Sequence, residues 1–233
     1  MALAVIKRET WGAAPPKTAW RDHTPDRITI HHTAGGTTDK FKGHETIRAI
    51  QKFHQDAPVK DDSGKRIGGG RGFKDIGYHY IIAPDGSVYE GRPETVIGAH
   101  VTNDNTGNVG ISLYGNFDTE KPTWEQIDTL PQLIAEISAR WVIPTTRVFI
   151  HKQRDTSTDC PGANLAPVLS QIKASVDDLK RFEVEKPAET VVPPGDQQTI
   201  IEPKVPVPAK QPVLPASAIV IILALILIAL LRD

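Results

Sequence analysis

Apolar residues recur along this chain in two rhythms, and the rhythms mark out strands and helices. β-Branched and aromatic runs mark Arg27 to Gly36, Asp75 to Arg92, Val109 to Tyr114 and Arg147 to Ile150 as strand regions. The second contains Pro84-Asp85-Gly86, a turn sequence, and reads as a hairpin. Alternation across a strand predicts Tyr78 and Tyr80 on one face and His79 on the other. Helical spacing marks Thr46 to His54, packed through Ile47, Ile50 and Phe53, and Leu165 to Phe182. Thr123 to Trp141 is a third helix, with Thr123 as N-cap and Glu125 and Gln126 behind it. Ala57 to Gly72, with Asp-Asp-Ser-Gly and Gly-Gly-Gly, predicts a mobile surface loop.

The far end of the chain has a different pattern. Ala218 to Leu231 is wholly apolar, and counting from Leu214 it makes about 18 residues, or roughly 27 Å of helix. This predicts a transmembrane helix over 214–231. Residues 186–213 are proline-rich and predict an extended linker reaching on the order of 80–90 Å. One domain over 1–185 remains, with no internal repeat and no N-terminal signal peptide. Lys204 and Lys210 precede the apolar segment, which places the domain on the cytoplasmic face of a membrane, the outer face being the alternative.

A formal charge of -1 over 233 residues gives no electrostatic reason to expect a nucleic-acid partner. The single cysteine excludes an intramolecular disulfide, so Cys160 is a buried small hydrophobe, a nucleophile or a ligand. It closes the stretch Phe149 to Gly162, in which a short strand delivers His151 into a polar loop. A borderline metal such as zinc accepts imidazole nitrogen and thiolate sulfur together, so His151 and Cys160 are two candidate ligands. His31 and His32 leave another strand with opposite facings, and spacing does not choose between them.

Four motifs then stand in one order: the strand ending Ile30-His31-His32-Thr33, the hairpin Asp75-Ile76-Gly77-Tyr78-His79 with its later Asp-Gly and Gly-Arg, the segment Gly98-Ala99-His100, and the spacing His151, Thr158, Cys160. From about Arg8 to Leu165 the chain resembles the type 2 N-acetylmuramoyl-L-alanine amidases, which share their fold with peptidoglycan recognition proteins and amidase-type phage lysozymes. The resemblance implies a single α/β domain with a central mixed β-sheet flanked by helices. It implies one zinc held by His31, His151 and Cys160, with a fourth position open to water. Tyr78 then occupies the place of the tyrosine that hydrogen-bonds the water or oxyanion, and Thr158 a place where relatives carry threonine or lysine.

The candidate substrate contacts are His32, His79, His100 and Arg92. His79 and His100 are alternatively proton carriers, and His32 a core residue or one behind the ligands. No general base stands out, because Glu45 and Glu90 read as solvated. Residues Ala57 to Gly70 read as an insertion relative to compact relatives. The implied substrate is peptidoglycan, cut between N-acetylmuramic acid and L-alanine by a monomeric phage endolysin or a membrane-tethered cell-wall amidase. The alternative is a non-catalytic peptidoglycan-binding module, against which Cys160 argues, since binders of this fold typically lack the cysteine ligand.

Overall fold

The computed structural model describes residues 3–184. Among them run, in order, β1 (Val5–Ile6), α1 (Arg8–Trp11), β2 (Arg27–His32), α2 (His44–Gln55), β3 (Pro58–Lys60), β4 (Arg66–Gly69), β5 (Tyr80–Ile82), β6 (Val88–Glu90), β7 (Asn108–Leu113), α3 (Trp124–Trp141), β8 (Val148–Ile150) and α4 (Leu169–Val184), with short 3-10 turns between some of them. Six strands form one mixed sheet in the order β1-β6-β5-β7-β2-β8. Only the β5–β6 hairpin pair is antiparallel; the other neighbours run parallel.

Alternation along the strands divides the core in two. Ile28 and Ile30 of β2, Val109, Ile111 and Leu113 of β7 and Ile82 of β5 pack with Leu130, Ile134 and Ile137 of α3 and Ile172 and Val176 of α4. Each fully buried aliphatic side chain stabilises the fold by about 1.5–3 kcal/mol. On the other face, Ile81 joins Trp11 of α1, Ile47 of α2, Ile76, Tyr89 and Tyr114. Both β2 and β7 are buried along nearly their whole length, with Ile28, Ile30, Val109, Ile111 and Leu113 on the α3–α4 side and Thr29, His31, Gly110 and Ser112 alternating with them.

The N-terminus of α3 follows its expected chemistry. Thr123 Oγ1 accepts the Gln126 N–H at 3.2 Å, and the Thr123 N–H donates to Gln126 Oε1 at 3.1 Å. Gln126 Nε2 in turn donates to the carbonyls of Ile82 and Tyr114 at 3.2 and 2.9 Å, tying the helix to the ends of β5 and β7.

Three expectations are corrected. The loop over 57–72 is a hairpin, with β3 and β4 antiparallel. Its return limb caps α2: Arg71 N–H donates to Phe53 O at 3.0 Å, Gly72 N–H to Asp56 O at 2.7 Å and Phe73 N–H to His54 O at 2.7 Å. Its glycines serve close approach as well as turning, since a Cβ on Gly70 would collide with the carbonyl oxygens of Phe53 and Asp56.

Tyr78 and Tyr80 do not share a face. The strand begins only at Tyr80, so alternation does not reach Tyr78. Tyr80 joins the α3–α4 core and Tyr78 packs against the α1–α2 core.

The membrane-spanning helix, part of the expected fold class, is corrected as well. Among the described residues no helix is long and apolar enough to cross a membrane. The 18-residue α3 carries Glu125, Asp128, Glu136 and Arg140. Residues 186–213 and 214–231 lie outside the described residues. The fold class is therefore a mixed α/β domain, and the membrane anchoring and membrane-face localisation drawn from that segment are withdrawn.

Candidate metal centre

β2 sends His31 and His32 to opposite faces. His31 emerges on the face covered by α1 and α2, one residue beyond Ile30, which points into the α3–α4 core. His32 turns to the opposite face, where its Nδ1 accepts the Phe117 N–H at 3.2 Å and its ring lies 6.1 Å from that of Phe117. It still borders the cleft described below.

β8 ends one residue before His151, whose ring centroid lies 4.4 Å from that of His31. The loop beyond it is pinned by Lys152 N–H donating to Cys160 O at 2.9 Å. Thr158 Oγ1 accepts the Cys160 N–H at 3.1 Å, and this turn sets Cys160 Sγ 3.7 Å from His31 Nδ1. The ligand atoms of His31, His151 and Cys160 all lie within 4.8 Å of one another.

Electrostatics and hydrogen bonding both fit a cation. Desolvation pushes the Cys160 thiol up to about 12. Burial holds the His31 imidazolium well below the ordinary histidine range and lowers that of His151 too. Without a cation the group is thus a neutral thiol beside neutral imidazoles. His151 Nε2 is buried with no hydrogen-bond partner, which is costly for a polar atom unless something else engages it. Two imidazoles and a thiol suit zinc.

The group opens into a cavity of about 370 Å³ lined also by Tyr78, His54, Arg71, His100 and Thr158. A side groove of about 440 Å³ joins it along Thr33, His54, Arg71 and Tyr78. The Tyr78 ring lies 5.4 Å from those of His31 and His54, and burial raises its phenol to about 12. No carboxylate lines the metal cleft among the described residues; Glu45 borders the side groove, and Glu90 accepts from Arg8 N–H and Lys7 Nζ.

His100 also lies in the cleft wall. Its Nδ1 is 3.0 Å from His31 Nε2, and its Nε2 is 3.1 Å from the Asn108 carbonyl oxygen.

The other two expected substrate contacts stand elsewhere. His79 is fully buried, its Nδ1 accepting the Gly110 N–H and its Nε2–H donating to Val96 O, both at 2.8 Å. Arg92 spends its guanidinium on the carbonyls of Ile76, Ile97 and Asp75. Neither lines the metal cleft.

His54 is a cleft residue that the sequence pattern concealed. Its Nδ1 accepts the Gly77 N–H at 3.0 Å, leaving Nε2–H as the group it can offer to the cleft. The buried stripe of α2 runs through Ile47, Gln51 and His54, whereas Phe53 is 43% exposed. Reading the helix by its apolar residues alone put the inner stripe one position away.

Fold and site together define an α/β domain that presents a His-His-Cys group in an open cleft. The N-acetylmuramoyl-L-alanine amidase family profile matches residues 21–163, and the chain belongs to that family. It is 33% identical over 168 residues to peptidoglycan-recognition protein SC2 of Drosophila melanogaster, covering 71% of this chain and 84% of the relative. Among solved structures it is similar to peptidoglycan recognition protein LE in complex with tracheal cytotoxin, a monomeric diaminopimelic acid-type peptidoglycan (TM-score 0.61, 30% identity, 72% of this chain and 93% of that one). It is also similar to the endolysin N-acetylmuramoyl-L-alanine amidase LysCS of Clostridium intestinale (TM-score 0.60, 26% identity, 76% and 97%).

Proposed function

We propose that this chain is a zinc-dependent N-acetylmuramoyl-L-alanine amidase, which hydrolyses the amide joining N-acetylmuramic acid to L-alanine in peptidoglycan. The observation that carries the reading is the convergence of His31, His151 and Cys160 at the wall of an open cleft. When bound there, zinc supplies a Lewis acid and an acidified water.

The chain's own side chains supply the rest. Tyr78 is protonated at neutral pH, as an ordinary phenol is, and burial raises it further, so it is a hydrogen-bond donor for negative charge developing on the scissile carbonyl oxygen. The Thr158 oxygen is engaged by the Cys160 N–H, which leaves its own proton to donate in the same direction. His54 Nε2–H, its ring beside that of Tyr78, is a third donor bordering the cleft. The peptide then has a path along the side groove, where the exposed Arg71 places a cation at the junction for stem carboxylates. The complex of the recognition-protein neighbour with a muropeptide supports peptidoglycan as the ligand, and the clostridial endolysin supports a lytic use.

A second reading is peptidoglycan recognition without cleavage, favoured by the names of the insect relatives. Incubating the full chain with purified peptidoglycan separates the two. Amidase action frees stem peptides with new L-alanine amino termini, is abolished by chelator and returns with zinc. Retention of the chain on peptidoglycan, with zinc bound and no new amino termini, would establish recognition instead.

A further inference from the structure

We propose that His100 is a positioning residue of the metal centre: it fixes the tautomer of His31, so that Nδ1 and not Nε2 is offered to the ion. The order of protons follows from one group that cannot donate. The Asn108 carbonyl oxygen only accepts, so the proton of His100 sits on Nε2, 3.1 Å away. His100 Nδ1 is therefore a lone pair, and His31 Nε2–H donates to it at 3.0 Å. A neutral imidazole carries a single N–H, so His31 Nδ1 is left bare, facing Cys160 Sγ. A backbone carbonyl thus dictates, through one intervening ring, which nitrogen of the ligand is available.

The intervening ring cannot turn. A Cβ on Gly110 of β7 would lie 2.6 to 2.8 Å from three His100 ring atoms, and one on Gly98 would lie 2.5 Å from its Cδ2. The two glycines form a slot of one imidazole's thickness. Asn105 Oδ1 closes the loop by accepting the N–H groups of His100 and Val101 at 2.8 and 2.9 Å. Asn108 is itself held, its carboxamide oxygen accepting the Thr29 hydroxyl at 2.9 Å. The inference rests on the metal reading of His31, His151 and Cys160, but not on which reaction follows.

The test uses the full chain with His100→Leu, His100→Asn and Gly110→Ala. Zinc affinity is measured by competition with a chelating dye, and the His31 tautomer by nitrogen-15 NMR of the metal-free protein. The wild type should show His31 protonated on Nε2 alone. His100→Leu should mix the two tautomers and weaken zinc binding about 10- to 100-fold, the usual effect of losing a partner behind a ligand. His100→Asn, whose Oδ1 restores an acceptor beside Cβ, should recover most of the affinity. Gly110→Ala alters no ligand yet should produce both effects by displacing the ring, and it serves if the leucine variant does not fold. An unchanged His31 tautomer and unchanged zinc affinity in the leucine and alanine variants would overturn the proposal. A wild type that binds no zinc would overturn the metal reading itself, and with it the role assigned to His100.

Discussion

His31 Nδ1 and Cys160 Sγ, 129 residues apart in sequence, stand 3.7 Å apart in space. Two ligands of a tetrahedral zinc, at ordinary Zn–N and Zn–S lengths, are separated by about 3.6 Å. The two donors are thus already spaced for the ion, held by β2 on one side and by the Thr158–Cys160 turn on the other. Cys160→Ser should weaken zinc binding at least ~100-fold, more than loss of an outer partner would. The metal-free stability should change little, since Cys160 lies at a cleft wall rather than in the core. Chelator competition together with thermal unfolding in chelator checks both halves, and hydrolysis retained at the wild-type rate would remove Cys160 from the centre.

Zinc binding should release one proton near neutral pH. The Cys160 thiol, pushed up to about 12, enters as a thiol and must leave its proton behind. His31 and His151, both lowered by burial, are already neutral and release none. Apparent affinity should therefore rise about tenfold per pH unit between pH 6 and 7, and more steeply above, where a zinc-bound water would also give up its proton. Calorimetry at pH 6, in two buffers of different ionisation enthalpy, counts the protons, and a count of zero or two there would contradict this assignment.

Acid should destabilise the fold in a defined window. Burial holds both His54 and His79 at about 4, against 6.5 for the unfolded chain. The unfolded state therefore binds more protons as pH falls. Stability is full above about pH 6.5, declines through the window and levels off below about 4, with a loss of up to about 3 kcal/mol for each ring. Urea midpoints at pH 7.5, 5.5 and 4 in chelator measure the slope, to which His31 and His151 add in the same direction. A flat profile would show that these rings do not stay neutral in the fold.

Tyr78→Phe should lower kcat about 100-fold, as expected for loss of one donor to a developing oxyanion, while zinc affinity stays near the wild-type value. Steady-state kinetics on a defined muropeptide give the comparison. An equal fall in zinc affinity would instead make Tyr78 a support for the ligands.

Gly70→Ala should cost about 1–3 kcal/mol in stability, because the added methyl meets the carbonyls that end α2. Chemical denaturation measures it. A mobile loop would tolerate the change.

The parts of the fold readable in advance are those set by local chemistry. β-Branched and aromatic runs gave β2, β7 and β8, and Thr123 with Gln126 gave the start of α3. Spacing alone left His31 and His32 equivalent and the family resemblance favoured His31; the sheet adds which face of β2 each ring takes, because only the position of the α3–α4 core says which face is the open one. His79 and Arg92 were singled out by their places in the hairpin motif, yet both are occupied by backbone groups far apart in sequence. His54 was hidden for the opposite reason: a polar residue on the inner stripe of a helix that also carries an exposed phenylalanine.

The adjacency of His31 and His32 bears on how the chain reaches its native state. Since successive residues of β2 face opposite sides, a pairing error of one position would put Ile30 and His32 where Thr29 and His31 belong. His32 would then stand in the place of His31, so an imidazole would still be offered there. The error would also put Thr29 and His31 where Ile28 and Ile30 belong in the α3–α4 core, so the loss of two buried aliphatic side chains, and not the metal, enforces the correct frame of the central strand.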